Sequence, residues 1–85
     1  MIAGWDNTGP HLYYVDSDGS RLEGTLFSVG SGSTFAYGVL DAENVCEYNF
    51  EEGIKVARKA IFHAAHRDAY SGGSVNGTTY HLFIV

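Results

Sequence analysis

The chain has 85 residues and a mass of 9.2 kDa, room for one small domain or a piece of a larger one and too little for a two-domain enzyme. Ten acidic residues against five Lys and Arg give a net charge of −5, which argues against nucleic-acid or anionic-membrane partners, because counterion release needs clustered basic side chains. A hydrophobic fraction of 45% with 18% charged residues describes a folding chain, and 11 glycines predict tight backbone approaches.

Ile2 to Asp6 predicts a first strand, separated by Asn7-Thr-Gly-Pro10 from a hairpin. The hairpin is expected over Leu12 to Val29: His11-Leu-Tyr-Tyr-Val15, a turn at Asp16-Ser-Asp-Gly19, then Arg21 to Val29. Asp side chains in such a turn bond their own backbone, and Gly tolerates positive φ, so the two runs close antiparallel. Gly30-Ser-Gly-Ser33 breaks the strand pattern and feeds a short helix over Thr34 to Leu40 that Ser33 can cap.

A longer helix is predicted from Phe50 to about His66, with Asn49 as N-cap and Glu52 at the third helical position. Ile54, Ala57, Ile61, Ala64 and Ala65 form its apolar stripe at helical spacing, expected to cover the sheet. Glu51 four residues before Lys55, with Lys59 beyond, marks the solvated edge. Asp68 to Gly73 should end this helix, after which the chain turns back into Ser74-Val75 and a last strand over Thr78 to Val85. No repeat, linker or low-complexity stretch suggests a domain boundary.

The single cysteine, Cys46, has no partner for an internal disulfide or a zinc site, which points to a reducing compartment. The longest apolar run, Leu82 to Val85, is far short of the ~20 residues that span a bilayer, and the first residues lack a secretory pattern. The expectation is a soluble, intracellular chain.

Several short patterns carry chemistry. The Gly30-Ser-Gly-Ser33 loop ahead of a helix can offer backbone N–H groups to an oxyanion or be a plain turn; it lacks the complete phosphate-loop and dinucleotide patterns. His63 and His66, three apart on a helix, can meet at one metal or stand as partly exposed imidazoles, and a third ligand is missing. Asn76-Gly-Thr78 matches the glycosylation acceptor but reads as a turn in a chain that is not secreted. Asp16-Ser-Asp-Gly19 has a calcium-loop flavour without the spacing of one. Asp68 and Ser71, just past a helix end, can orient an amine or hydroxyl, or satisfy the helix terminus.

Taken together, Gly4-Trp-Asp6, Gly9-Pro10, Leu12-Tyr-Tyr-Val-Asp16, Phe27-Ser-Val-Gly-Ser-Gly32, Ala36-Tyr-Gly-Val-Leu-Asp41 and Arg67-Asp-Ala-Tyr-Ser-Gly-Gly73 resemble the C-terminal half of a eukaryotic proteasome beta subunit of the chymotrypsin-like catalytic type. The resemblance covers nearly all of residues 1 to 76, in family order. It implies an α+β chain contributing part of an N-terminal-nucleophile hydrolase fold, an αββα four-layer sandwich, with residues 1–85 forming one partial domain. It also implies a cytoplasmic and nuclear threonine-type endopeptidase assembly that degrades ubiquitin-tagged proteins. Its partners would be the other proteasome alpha and beta subunits and unfolded polypeptide substrates, with no nucleic acid, no membrane and no cofactor or metal.

In that family the nucleophile is a threonine at the mature N-terminus whose own amine acts as base, an amine pKa near 8 suiting that task at neutral pH. Carried over by resemblance, Ser31 would hydrogen-bond that amine, and Asp68 and Ser71 would help to hold it and its water. The nucleophile, the oxyanion-hole glycine and the main specificity residues belong to the family's N-terminal half, so the 85-residue chain alone is expected to be inactive. Met1 aligns with a methionine inside a family strand, residues 42 to 49 replace a family connection, and the pattern is lost after Asn76. A non-catalytic structural or degenerate fragment is the alternative.

Overall fold

The computed structural model describes residues 1–43, 49–80, 83 and 84, so Cys46 and most of the expected replacement over residues 42 to 49 lie outside the described residues. The chain divides into two compact units, Met1–Phe27 with Thr78–Val85, and Ser28–Gly77.

The first unit holds β1 (Ile2–Asp6), β2 (Gly9–Val15) and β3 (Arg21–Glu23), an antiparallel sheet in the order β1-β2-β3. β1 has the predicted bounds, but the segment expected to separate it from β2 is itself largely strand, because the register Asp6↔Gly9 and Trp5↔Pro10 leaves only Asn7-Thr8 as a loop. Gly9, at φ +112°, supplies the backbone that closes this tight connection. Pro10 is tolerated in the middle strand because β3 pairs with β2 only from Tyr13 to Val15, so the missing N–H leaves no second ladder unserved.

The second turn forms as the sequence predicts. Asp16 Oδ1 accepts the N–H groups of Asp18 at 2.9 Å and Ser20 at 3.0 Å, and Gly19 sits at φ +85°. The returning strand is shorter than the expected run to Val29 and stops at Glu23. The chain departs at Gly24, where a Cβ would lie 2.8 Å from the Phe27 ring; Phe27 folds back beside Tyr14, centroids 6.0 Å apart, in place of extending the ladder.

His11 ties the three strands together. Its Nδ1 lies 2.7 Å from Glu23 Oε1 on β3, and its Nε2 lies 3.1 Å from Asp6 Oδ1 at the end of β1 and 2.6 Å from Thr8 Oγ1. Thr8 in turn donates its hydroxyl and its N–H to Asp6 Oδ1. The hydrogen bond to Glu23, reinforced by the charge of Asp6, raises the His11 pKa above its ordinary value, and the Thr8 donors lower that of Asp6. Ile2, Trp5 and Leu22 remain more than half exposed, in keeping with strands that leave apolar side chains uncovered.

The end of the chain differs from the single long strand expected over Thr78 to Val85. Two short strands, β4 (Thr79–Tyr80) and β5 (Phe83–Ile84), pair antiparallel with each other, and Ser74-Val75 are not in a strand. Pairing between segments so near in sequence costs little entropy.

The second unit holds α1 (Ser33–Glu43) and α2 (Phe50–Arg67). α1 runs beyond the predicted Leu40, and Ser33 is its first residue, not its cap: the Ala36 N–H reaches the Gly32 carbonyl at 3.1 Å, which gives the cap position to Gly32. α2 begins as predicted, with the Asn49 side chain accepting the Glu52 N–H at 2.9 Å. Its buried line is Val56, Ala60 and Ala64, facing Ala36 and Leu40 of α1. Of the stripe expected from spacing, Ala64 is buried while Ile61 is 45% exposed. The packing axis is rotated toward the alanines because small side chains let two helix backbones approach closely. Lys59 pairs with Glu43 between the helix surfaces. None of the helices among the described residues is long and apolar enough to cross a membrane.

Two outcomes follow for this architecture. Asn49→Ala removes the acceptor at the start of α2 and should lower stability by about 1 kcal/mol in urea melts, with Asn49→Asp retaining most of it. Because the His11 pKa is raised on folding, its contribution is fully present below the ordinary histidine value and is lost as pH rises through the higher folded value. The melting temperature should therefore fall as pH is raised above about 6.5, and His11→Ala should flatten that slope.

Candidate functional site

Three side chains named from the sequence converge at the C-terminal end of α2. Asp68 is the helix C-cap: its N–H donates to the Ala64 carbonyl at 2.8 Å, and its backbone is extended at φ −89°, ψ 121°. The helix thus ends at Arg67, five residues before Gly72, with Asp68 as its cap. Leaving the helix axis turns the Asp68 side chain toward the loop that precedes α1. There the Ser31 hydroxyl donates to Asp68 Oδ2 at 2.5 Å, and the Ser71 hydroxyl donates to the same oxygen at 2.6 Å.

The other carboxylate oxygen, Oδ1, receives the Tyr70 N–H at 3.3 Å, and the Ser71 N–H closes a turn on the Asp68 carbonyl at 3.2 Å. Asp68 and Ser71 therefore make both a helix-end turn and a side-chain cluster, so the two readings open at the sequence level coexist. Ser31 is exposed, whereas Asp68 and Ser71 are half-buried.

The loop that delivers Ser31 is held at several points. Gly30 adopts φ +115°, and the Ser33 N–H returns to the Gly30 carbonyl at 3.1 Å, a tight turn of the kind the glycine-serine run predicts. The Ser28 N–H donates to the Tyr37 hydroxyl at 2.9 Å, fixing the loop entry to α1. Gly32 is the residue that sequence reasoning missed. It is buried, and a Cβ there would stand 2.9 Å from Ser71 Oγ, 3.1 Å from Ala64 Cβ and 3.3 Å from Asp68 Oδ2. Only a residue without a side chain lets the loop pass this close to α2. Its position between the two loop serines was a signal; the identity of its neighbours was not.

Chemically, the cluster is a set of acceptors carrying one negative charge. Both hydroxyl hydrogens are committed to Oδ2, so the serine oxygens present their lone pairs outward, and Oδ1 retains further capacity. The hydrogen bonds from Ser31 first, then Ser71, lower the Asp68 pKa below its ordinary value, which keeps the carboxylate ionised at neutral pH and makes it a poor proton acceptor. Such a set suits a cationic donor, above all an ammonium group. Neither serine contacts a histidine or lysine among the described residues, so neither has the base an activated hydroxyl needs.

The other sequence candidates stand apart from this cluster. His63 and His66 are exposed and flank Phe62, His66 stacked on it at 6.5 Å and His63 edge-on at 5.8 Å. Groups of three or more metal-ligating side chains are absent among the described residues. A groove of about 470 Å³ between α1 and α2, lined by Phe35, Val39, Lys59, His63 and Arg67 among others, contains none of Ser31, Asp68 and Ser71.

Comparison with known proteins agrees with the residues that carry the resemblance. The chain is 60% identical over 82 residues to Proteasome subunit beta type-5 of Dictyostelium discoideum, covering 96% of this chain and 29% of that protein. It is 58% identical over 82 residues to Proteasome subunit beta type-5 of Gallus gallus, covering 96% of this chain and 31% of that protein. To Proteasome subunit beta type-8 of Rattus norvegicus it is 55% identical over 82 residues, covering 96% of this chain and 29% of that protein. The chain thus spans under a third of the length of these relatives. The family model described as Proteasome subunit matches residues 1–79, and with relatives of the beta type on every side, the chain belongs to the proteasome subunit family as a beta-type member.

Proposed function

We propose that the chain is part of a threonine-type endopeptidase subunit of a proteasome core particle, one partial domain of an αββα N-terminal-nucleophile hydrolase, acting in the cytoplasm and nucleus on unfolded polypeptides. Ser31, Asp68 and Ser71 would hold the α-amino group of the catalytic threonine, which the remaining length of the subunit supplies, and other alpha and beta subunits would be its assembly partners. The observation that carries this reading is Asp68 Oδ2 accepting both serine hydroxyls at 2.5 and 2.6 Å, since the result is an anionic, outward-facing set of acceptors.

An N-terminal amine that takes the threonine hydroxyl proton becomes an ammonium during attack on the peptide carbonyl. A carboxylate held ionised beside it stabilises that charge as it develops, and serine oxygens that can only accept fix its orientation. The cluster contributes positioning and charge, while the nucleophile and base come from one residue elsewhere in the subunit.

In the complete subunit assembled into a particle, Asp68→Asn and Ser71→Ala should each slow peptide hydrolysis by roughly ten- to a hundredfold, the usual effect of losing a hydrogen bond to a charged group, with assembly unchanged. A lowered melting temperature with unchanged turnover per assembled site would instead assign both residues to the end of α2 alone. Gly32→Ala should destabilise by about 1–3 kcal/mol through overpacking and reduce turnover along with it, measured by urea denaturation and peptide hydrolysis on the same preparation.

A further inference from the structure

Asn76 and Gly77 lie between the end of α2 and β4, exposed and outside any helix or strand. A Cβ on Gly77 would meet nothing within 4 Å, and among the described residues neither the Asn76 side chain nor the Gly77 N–H enters a hydrogen bond. An asparagine followed by glycine is chemically distinctive. The glycine nitrogen can swing onto the asparagine side-chain carbonyl, because glycine has no Cβ to obstruct the approach and explores both signs of φ.

We propose that Asn76-Gly77 is a site of spontaneous covalent modification, where Asn76 cyclises to a succinimide and opens to aspartate and isoaspartate. The Gly77 nitrogen attacks Asn76 Cγ and gives up its proton; the new C–N bond closes the ring, the Cγ–Nδ2 bond breaks, and ammonia leaves with that proton. Water then adds to either imide carbonyl and cleaves its C–N bond. Opening at one carbonyl gives aspartate. Opening at the other gives isoaspartate, which routes the main chain through the former side chain and lengthens it by one methylene just before β4. Both products add a negative charge to a chain already at −5.

Among the described residues, Asp18-Gly19, Asn7 and Asn49 are each restrained, whereas Asn76-Gly77 has no comparable hydrogen bond. At Asp18-Gly19 the glycine N–H is held by the Asp16 carbonyl at 3.2 Å, inside the turn. After Asn7, the Thr8 N–H is held by Asp6 Oδ1 at 2.7 Å. Asn49 has its side-chain oxygen committed to the Glu52 N–H at 2.9 Å.

The test is incubation of the 85-residue chain for days in mildly alkaline buffer, with and without urea. Peptide mapping by mass spectrometry follows, using a fragmentation method that separates isoaspartate from aspartate. Conversion should be fastest at Asn76, with isoaspartate the larger product, and should proceed at the same rate in buffer as in urea. Isomerisation at Asp18-Gly19 should be several-fold slower in buffer than in urea, and Gly77→Ala should slow conversion of Asn76 several-fold. An Asn76 that stays intact while Asn7 or Asn49 converts would overturn the proposal. So would conversion of Asn76 several-fold faster in urea than in buffer, or equal rates at Asp18-Gly19 in the two conditions, since either would remove the contrast in restraint on which it rests.

Discussion

The end of α2 and the loop before α1 are joined by one carboxylate oxygen that receives two hydroxyl hydrogens, and everything else about the candidate site depends on how closely these segments can approach. An ionised carboxylate draws donors in, yet the approach is limited by whatever lies between. Gly32 removes that limit. The attraction is electrostatic and the permission steric; a side chain at Gly32 would leave the donors in place and prevent them from arriving.

The same arrangement makes the cluster a set of acceptors. With both hydroxyls pointing inward to Asp68, charge is concentrated on one side and unsatisfied lone pairs on the other. The carboxylate's lowered pKa means that its ionised form persists until pH falls through that lowered value, so the polarity of the cluster is fixed across the neutral range. Its chemistry is that of a fixed anionic acceptor, suited to a cationic donor.

How much of this was legible in the sequence differs by element. The hairpin turn and the α2 cap were, because their chemistry is local: Asp16 with Gly19, and Asn49 with Glu52, act within four residues of themselves, whereas the cap of α1 fell one residue earlier than Ser33. β1 and α2 were legible for the same reason, their patterns being long enough to be unambiguous. The end of β3 was not, since Arg21 to Val29 alternates like a strand and only the return of Phe27 over Gly24 stops it. The orientation of α2 was missed in part, because the helical spacing put Ile61 and not Ala60 on the stripe, whereas close helix packing buries Ala60. Ser31, Asp68 and Ser71 entered by family resemblance; spacing could pair Asp68 with Ser71, but nothing local joins either to Ser31 across 37 positions.

The seam between α1 and α2 has a consequence for how this chain can drift over generations. Three of its five buried residues, Ala36, Ala60 and Ala64, are alanines, so nearly every accepted codon change there must enlarge the side chain. The sole reduction, to glycine, costs about 1 kcal/mol in helix propensity. Such a seam is bounded on both sides and has few neutral neighbours in sequence space. A seam of leucines could exchange with methionine or isoleucine at little cost, whereas enlarging these alanines overpacks the seam by about 1–3 kcal/mol.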